Sequence, residues 1–448
     1  MAPKQRSESN RRLTGPFVAP RGNEFTFEFE GEPVAAHEGE TIAEALLAAG
    51  VLRLSRSPKY HRPRGAFCFA GQCATCLVRV NGRPNVRACM EPAFAHTRCE
   101  RQNAFPDADV DMLRAADWLF PGGMDHHHMM TGTRVGNAMF LKLVRQMGGT
   151  GTLPDVPDTR FGPLREAFFD VCIVGAGPAG LTAAAAIAEQ APHASVLVID
   201  QQRVVGGSWL AEPEGKTCVE PQQTLLQRLG VQLWSASTAL GHYPEDDAPV
   251  PAGVTDAVPG VLAVLRPTHA AVVRARRFVF ATGAYEQNLP FASNDAPGVM
   301  AARAFGRLVF TQGILPSKKV KLLVDPQRPF EYANRLQMAL QALGVAVTRV
   351  EASADPTHDV RVDAKTTLAV AALPAPAFEL PRQHGLAVTM QPSLGGFAVQ
   401  ANADGTTSAR GVFVAGDVTG YMGPKNAETH GRAVGAAVGL SLRAGDER

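Results

Sequence analysis

The chain of 448 residues is short of several things. It has no long apolar run: none reaches the roughly 18 residues that a membrane-spanning helix requires. It has no excess of one charge. Lys and Arg number 44 against 42 Asp and Glu, a net charge of +2, which excludes a general polyanion binder and removes nucleic acid as an expected partner. The amino end, MAPKQRSESNRRLTG, is basic but holds no apolar stretch, so no secretory signal is expected and a cytoplasmic location is. Cysteine is scarce and odd in number, at seven, which excludes a disulfide scaffold in a chain of this length. The length itself exceeds one ordinary core and implies two to four domains.

What is present begins with four of those cysteines crowded into one stretch. Their spacing is Cys68-x4-Cys73-x2-Cys76-x12-Cys89, the arrangement of plant-type [2Fe–2S] loops. Ala70, Gly71 and Ala74 are small enough to let the loop wrap two irons. Zinc sites usually show two close cysteine pairs, and here only Cys73 and Cys76 make one. A strand pattern from Leu77 to Val80, an Asn81-Gly82 turn signal and a return over 83–89 predict a hairpin. With Asn81 and Gly82 as the turn, paired positions sum to 163, Cys89 lies opposite Ala74, and Cys89 becomes the fourth ligand. Cys99, Cys172 and Cys218 read as small buried hydrophobes.

Ahead of this loop, Phe25, Phe27 and Phe29 alternate with polar residues as in a half-buried strand, and a second strand is expected over 33–36. Thr41 and Glu44 have capping-box spacing, opening a helix over 42–49 that stops at Gly50. Strand, strand, helix and cysteine loop is the order of a β-grasp ferredoxin. Between these features runs Arg56-Ser57-Pro58-Lys59-Tyr60-His61-Arg62-Pro63-Arg64-Gly65, basic and proline-punctuated; it reads as a solvated loop or, more sharply, as a docking surface or support for an anionic cofactor.

From residue 167 the pattern changes to β-α-β. An apolar strand over 169–174 runs into Gly175-Ala176-Gly177-Pro178-Ala179-Gly180, then an Ala-rich helix to Gln190, then a strand over 195–199 ending at Asp200. This is a dinucleotide fingerprint: Gly175 for the turn, Gly177 for backbone approach to pyrophosphate, Gly180 for packing, and Asp200 for the adenosine ribose. Gly207, in the next glycine turn, joins the candidate set. Two further apolar strands end in Ala281-Thr282-Gly283 and in Gly416-Asp417. Both endings are similar to the motifs of two-dinucleotide-domain flavoprotein reductases, a resemblance that implies FAD and carries the ribityl and pyrophosphate contact to Asp417. FAD and NAD both remain open at the first glycine site. Gly431, Gly435 and Gly439 form a small-residue stripe with a packing reason. Trp209 and Tyr285, after glycine-rich turns, read as core residues or as residues approaching the flavin.

A second α/β unit follows the same order, with a strand over 319–324, a helix over 330–343 and a strand over 345–350. Its turn, Asp325-Pro326-Gln327-Arg328-Pro329-Phe330, holds no glycine and two residues without an N–H, so nicotinamide binding is not expected there. The stretch 101–165 reads as a connecting arm with short helices over 111–118 and 137–146. His126, His127 and His128 read as packing or interface residues, because adjacent side chains diverge.

The RSPKYHRPRG run, the cysteine loop, the returning Pro84-Asn85 to Cys89 strand and the glycine fingerprint together resemble the α subunits of heterotetrameric sarcosine oxidase, opine oxidases, hydroxyproline dehydrogenases and hydrogen cyanide synthase. The resemblance covers residues 22–440. It implies an α/β with α+β fold: a β-grasp ferredoxin-like domain, then a two-dinucleotide-domain flavoprotein fold with a degenerate second domain. The expected organisation is a mobile tail over 1–20, a [2Fe–2S] domain over 21–100, the arm over 101–165, an FAD-binding domain in two halves over 166–294 and 386–448, and a NAD-like domain over 295–385. Against sarcosine oxidase α, the complete cysteine set and the end at Arg448 turn the reading toward dehydrogenases that pass electrons onward. The resemblance further implies an FAD-containing β subunit that oxidises an amine or amino acid, an FMN at a subunit interface, small additional subunits and a downstream electron acceptor. No residue of this chain is expected to be catalytic toward substrate. The rival readings are a self-contained NAD(P)H-dependent acceptor reductase and a non-catalytic nucleotide-binding scaffold.

Overall fold

The structure, a computed structural model, describes residues 11–13, 21–58, 60–104, 107–115, 134–136, 162–245, 250–353 and 366–446, with positions 118, 138, 355 and 360 besides. Of the expected tail over 1–20, residues 11–13 are described and held, Arg12 donating to Glu40 at 2.7 and 2.8 Å; the rest of the tail, the three adjacent histidines and, Ala138 apart, the expected helix over 137–146 lie outside the described residues. The chain divides into two compact units that alternate along the sequence: residues 1–157 with 288–371, and residues 158–287 with 372–448.

The first unit opens with a five-stranded sheet in the order 32–37, 24–29, 98–100, 77–80, 83–87. Phe27 and Phe29 point inward from Glu24–Phe29 while Thr26 and Glu28 stay exposed, as period-2 alternation demands. The helix Ile42–Ala48 covers the sheet. Its N-terminus is closed by the Thr41/Glu44 capping box: the Thr41 N–H donates to Glu44 Oε2 at 2.7 Å and the Glu44 N–H donates to Thr41 Oγ1 at 3.3 Å. It stops where Gly50 takes φ +83°, a value that favours glycine.

The hairpin differs from the expected register. Asn81 and Gly82 do form the turn, both with positive φ. Val80 pairs with Arg83, summing to 163, but Val78 pairs with Val86 and Leu77 with Arg87, summing to 164. The extra residue lies in the return strand, where Pro84 has no N–H to donate and Asn85 takes φ +59°. Gln102 holds the bulge, accepting from the Asn85 N–H at 3.0 Å and donating to Asn85 Oδ1 at 2.6 Å.

The basic run is not a solvated loop throughout. Arg56, Ser57 and His61 are buried. Arg56 donates to the carbonyls of His61 at 2.7 Å and Ala108 at 2.9 Å, and His61 Nδ1 lies 3.0 Å from Asp111 Oδ2 and from the Asn103 carbonyl. Arg56 and His61 are bound internally, tying this part of the segment to residues fifty positions on, while Arg62 stays exposed.

The rest of the first unit is a four-stranded parallel sheet in the order Val299–Ala301, Thr366–Ala371, Lys319–Val324, Ala346–Glu351, with the helix Tyr332–Ala342 joining Lys319–Val324 to Ala346–Glu351. In the expected nucleotide turn, Asp325 Oδ1 accepts from the Gln327 N–H at 2.9 Å and Asp325 Oδ2 from Arg328 Nε at 3.0 Å. The turn's one cation is thus bound within the turn.

The second unit is built on a seven-stranded sheet. Its path runs 232–234, 196–199, 162–174, 269–280, 261–265, 238–243, with Val412–Val414 paired to His269–Phe280. The Ala-rich helix Pro178–Gln190 is buried almost throughout because Pro424–Asp446 lies along it. A Cβ at Gly431 would stand 2.2 Å from the Ala179 carbonyl oxygen and one at Gly435 2.5 Å from that of Ala183, so the glycine stripe is a packing requirement. Trp209 is buried in this core; Tyr285, contrary to expectation, is exposed and donates to Glu379 Oε2 at 3.0 Å. Cys172 is buried as expected; Cys218 is exposed on Gly215–Arg228, contrary to expectation, because that helix keeps only Gly215, Val219 and Leu226 inside. Among the described residues no helix is long and apolar enough to cross a membrane.

Candidate cofactor sites

Cys68, Cys76 and Cys89 are buried and Cys73 is half-buried. Cys73 Sγ donates to Cys68 Sγ at 3.3 Å, Cys89 hydrogen-bonds Cys68, and Cys76 hydrogen-bonds Cys89. The four sulfurs therefore make a chain of pairs, Cys73–Cys68–Cys89–Cys76. Among the described residues no three His, Cys, Asp or Glu side chains surround a position for a single metal ion. Hydrogen bonds from Cys73 and Cys89, then the N–H groups of Ala70 and Cys73, pull the Cys68 thiol well below the usual range, while donating to Cys68 and burial push Cys73 up. Donors already aimed at sulfur are what a thiolate ligand needs.

The fourth thiol is set by the corrected register. The Ala88 N–H donates to the Cys76 carbonyl at 3.1 Å, so Cys89 falls opposite Thr75 rather than Ala74, still between Cys73 and Cys76. Gly71 has φ +72°, and a Cβ there would lie 2.9 Å from Met90 Sδ, so the loop closes tightly only with glycine. Cys99 is buried in Arg98–Glu100 opposite Phe29 and Val80, apart from the four.

In the second unit, four parallel strand ends come level. Val174 pairs with Ile199 and with Phe280, and Phe280 with Val414. The segments that follow each end, Gly175–Gly180, Asp200, Ala281–Gly283 and Gly416–Asp417, therefore gather at the carboxyl edge of the sheet, where open α/β sheets bind ligands. The three fingerprint glycines have different reasons. A Cβ at Gly175 would stand 2.1 Å from the Ala281 carbonyl oxygen, and one at Gly180 1.9 Å from that of Gly175. At Gly177 the nearest atom would be Gly207 Cα at 3.8 Å. The chain's own packing explains the outer pair, while the middle glycine leaves room, as a pyrophosphate cradle requires. Gly207, at φ +52°, forms its other wall, and the helix beginning at Pro178 has no side-chain cap.

Asp200 Oδ2 accepts from the Ala176 N–H at 2.6 Å and Oδ1 from the Gln202 N–H at 2.7 Å, which fixes the carboxylate at the strand end. Thr282 donates its hydroxyl to the Ala377 carbonyl at 2.7 Å, a structural use, and Gly283 has open space at its Cα. Gly416 sits against the first turn of the fingerprint helix: a Cβ there would be 2.7 Å from that of Ala179. Asp417 is buried, and its Oδ1 accepts from the N–H groups of Met422 and Gly423 at 2.9 and 3.2 Å. Sequence reasoning missed His430, whose Nδ1 accepts from the Gly416 N–H at 3.1 Å. Burial pushes its pKa down, keeping the ring neutral as an acceptor. Its only sequence signal is its place beside Gly431.

Residues 22–104 match the 2Fe-2S iron-sulfur cluster binding domain, and residues 173–238 match the NAD(P)-binding Rossmann-like domain. Sarcosine oxidase subunit alpha of Rhizobium meliloti (strain 1021) is 29% identical over 369 residues, covering 78% of this chain and 36% of that protein. The hydrogen cyanide synthase subunit HcnA of Pseudomonas aeruginosa is 40% identical over 80 residues, 18% of this chain and 76% of HcnA. The chain belongs to the sarcosine oxidase α, opine oxidase A and hydrogen cyanide synthase subunit family. It spans about a third of the length of the sarcosine oxidase α subunits it matches. For the fold alone, L-proline dehydrogenase from P. horikoshii superposes with a TM-score of 0.69 at 20% identity, covering 95% of this chain and 75% of that one. The family's cofactors here are a [2Fe–2S] cluster and FAD, and both cysteine loop and glycine cradle suit them.

Proposed function

We propose that this chain is the electron-transfer subunit of a hetero-oligomeric FAD-dependent amine or amino-acid dehydrogenase or oxidase. Cys68, Cys73, Cys76 and Cys89 are its cluster ligands. Gly175, Gly177, Pro178, Ala179, Gly180, Asp200, Gly207, Ala281, Thr282, Gly283, Gly416 and Asp417 line its FAD site. When bound, FAD takes up an electron pair and releases it singly, which is the form in which a [2Fe–2S] cluster accepts electrons. The chain's own residues bind and orient. Gly177 and Gly207 admit the pyrophosphate to the backbone, the uncapped helix N-terminus offers it donors, and Asp200 and Asp417 are held by N–H groups at the strand ends.

One observation carries this reading: the chain holds a four-thiol loop and an open glycine cradle, while in the second nucleotide-like turn Arg328 is paired with Asp325. The relatives are named for sarcosine, opines and hydrogen cyanide formation, so the donor proposed is a secondary amine or amino acid, oxidised on an FAD-containing β subunit. Stopped-flow spectra test it. Amine should reduce flavin and cluster of this chain only with the β partner present; reduction of the isolated chain by amine, or none in the complex, would overturn it.

A further inference from the structure

Within the first unit, the approach to the cysteine loop is fastened at intervals to the segment that begins the second nucleotide-like domain. Arg64 pairs with Asp295 at 2.5 Å. A Cβ on Gly65 would lie 3.1 Å from Pro297 Cα, so the two backbones nearly touch there. The Ala301 N–H donates to the Phe67 carbonyl at 3.0 Å. Arg307 Nη1 donates to the Phe69 carbonyl at 3.1 Å. The last two bonds flank Cys68, one on each side. Phe69 takes φ +45°, an uncommon backbone setting for a bulky residue, and the Arg307 bond holds its carbonyl there.

Arg307 opens a π-helical turn, Arg307–Thr311, directly after Ala302–Gly306. Such turns are uncommon and gather at functional sites. Its Nε is buried without a hydrogen-bond partner among the described residues. A part-buried, incompletely paired guanidinium is favoured by negative charge nearby, and the Glu44 carboxyl supplies some of it. Two ferric irons, two sulfides and four thiolates sum to a net negative charge, and Cys68, the residue next to Phe69, supplies one of the thiolates.

We propose that Arg307 is a positioning residue of the [2Fe–2S] centre: it fixes the Cys68 side of the loop and keeps a permanent positive charge beside it, which raises the cluster's reduction potential. Net charge and hydrogen bonding around the sulfurs are the terms that set such potentials. On this account the segment that opens the second nucleotide-like domain serves as the electrostatic seat of the cluster.

The inference rests on the ligand set proposed above, and redox titration of the purified full-length chain separates the two. Arg307→Met and Arg307→Lys are compared with the unsubstituted chain by iron and sulfide content and by spectroscopically monitored midpoint. Arg307→Met should shift the reduction equilibrium at least tenfold toward the oxidised cluster, which is about 59 mV for one electron. Arg307→Lys, which keeps the charge, should stay near the unsubstituted value. If Arg307→Met fails to load a cluster while Arg307→Lys loads one at the unsubstituted midpoint, the proposal also stands. A loaded Arg307→Met with an unchanged midpoint, or Met and Lys variants shifted alike, overturns it. An unsubstituted chain without [2Fe–2S] absorbance instead removes the ligand set itself.

Discussion

The Ala88 N–H donates to the Cys76 carbonyl at 3.1 Å, and this bond sets the register of the returning strand. It places Cys89 across from Thr75, with its thiol bonded to those of Cys68 and Cys76. Cys89→Ala should abolish iron–sulfur absorbance and leave flavin content intact. Cys99→Ala should alter neither, because Cys99 faces Phe29 and Val80 in the sheet. Visible spectra with iron analysis check both, and a cluster lost in the Cys99 variant alone would refute the register.

At Gly177 the protein leaves space, so a branched side chain fits the fold but fills the cradle. Gly177→Val should lose FAD at least tenfold while keeping its cluster and its far-ultraviolet spectrum. Gly180→Val, by contrast, drives side-chain atoms into the Gly175 carbonyl and should fail to fold stably. Flavin released by heat from each purified variant measures the difference; equal flavin in Gly177→Val and the unsubstituted chain would sink the cradle.

The second nucleotide-like turn makes a kinetic prediction. Asp325 adds negative charge, two prolines remove donors, and Arg328 is held by Asp325. NADH and NADPH should therefore reduce the isolated chain slowly or not at all in anaerobic mixing. Fast bleaching by NADH would reverse the direction of electron flow and favour an NAD(P)H-dependent reductase.

Glu44 gives a pH dependence to stability. Burial raises its carboxyl from 4.5 to about 7, against the opposing Thr41 hydrogen bonds. The folded chain keeps a proton that the unfolded chain gives up above 4.5. The group's contribution is therefore complete below that pH and is lost as pH rises through about 7. Glu44→Gln retains an oxygen for the Thr41 N–H and cannot ionise. Its denaturation midpoint should match the unsubstituted chain near pH 4.5 and exceed it at about pH 8; a gap independent of pH would contradict this.

What the sequence revealed was local. The Thr41/Glu44 box, the Phe25–Phe29 alternation and the strand–glycine–helix run at 169–190 each depend on neighbours a few positions away, and each took the expected form. What it hid depends on distant partners. The bulge at Asn85 is stabilised by Gln102, and a hairpin sum drawn from the turn alone misses it by one. Arg56 and His61 read as solvent-facing because their partners, the Ala108 carbonyl and Asp111, come fifty residues later. His430 carries no motif at all; only the folded chain brings its ring to Gly416.

The alternation of the two units along the chain also fixes an order of events during synthesis. The cysteine loop emerges early, yet Ala301 and Arg307, which pin it, arrive more than two hundred residues later. The fingerprint helix likewise waits for Gly431 and Gly435 before its buried face is covered. Both halves must therefore remain loosely held while the chain between them is made. Such delayed closure slows folding and leaves apolar surface open to solvent for longer. It also gives iron–sulfur assembly a window in which the thiols are reachable before the loop is locked down.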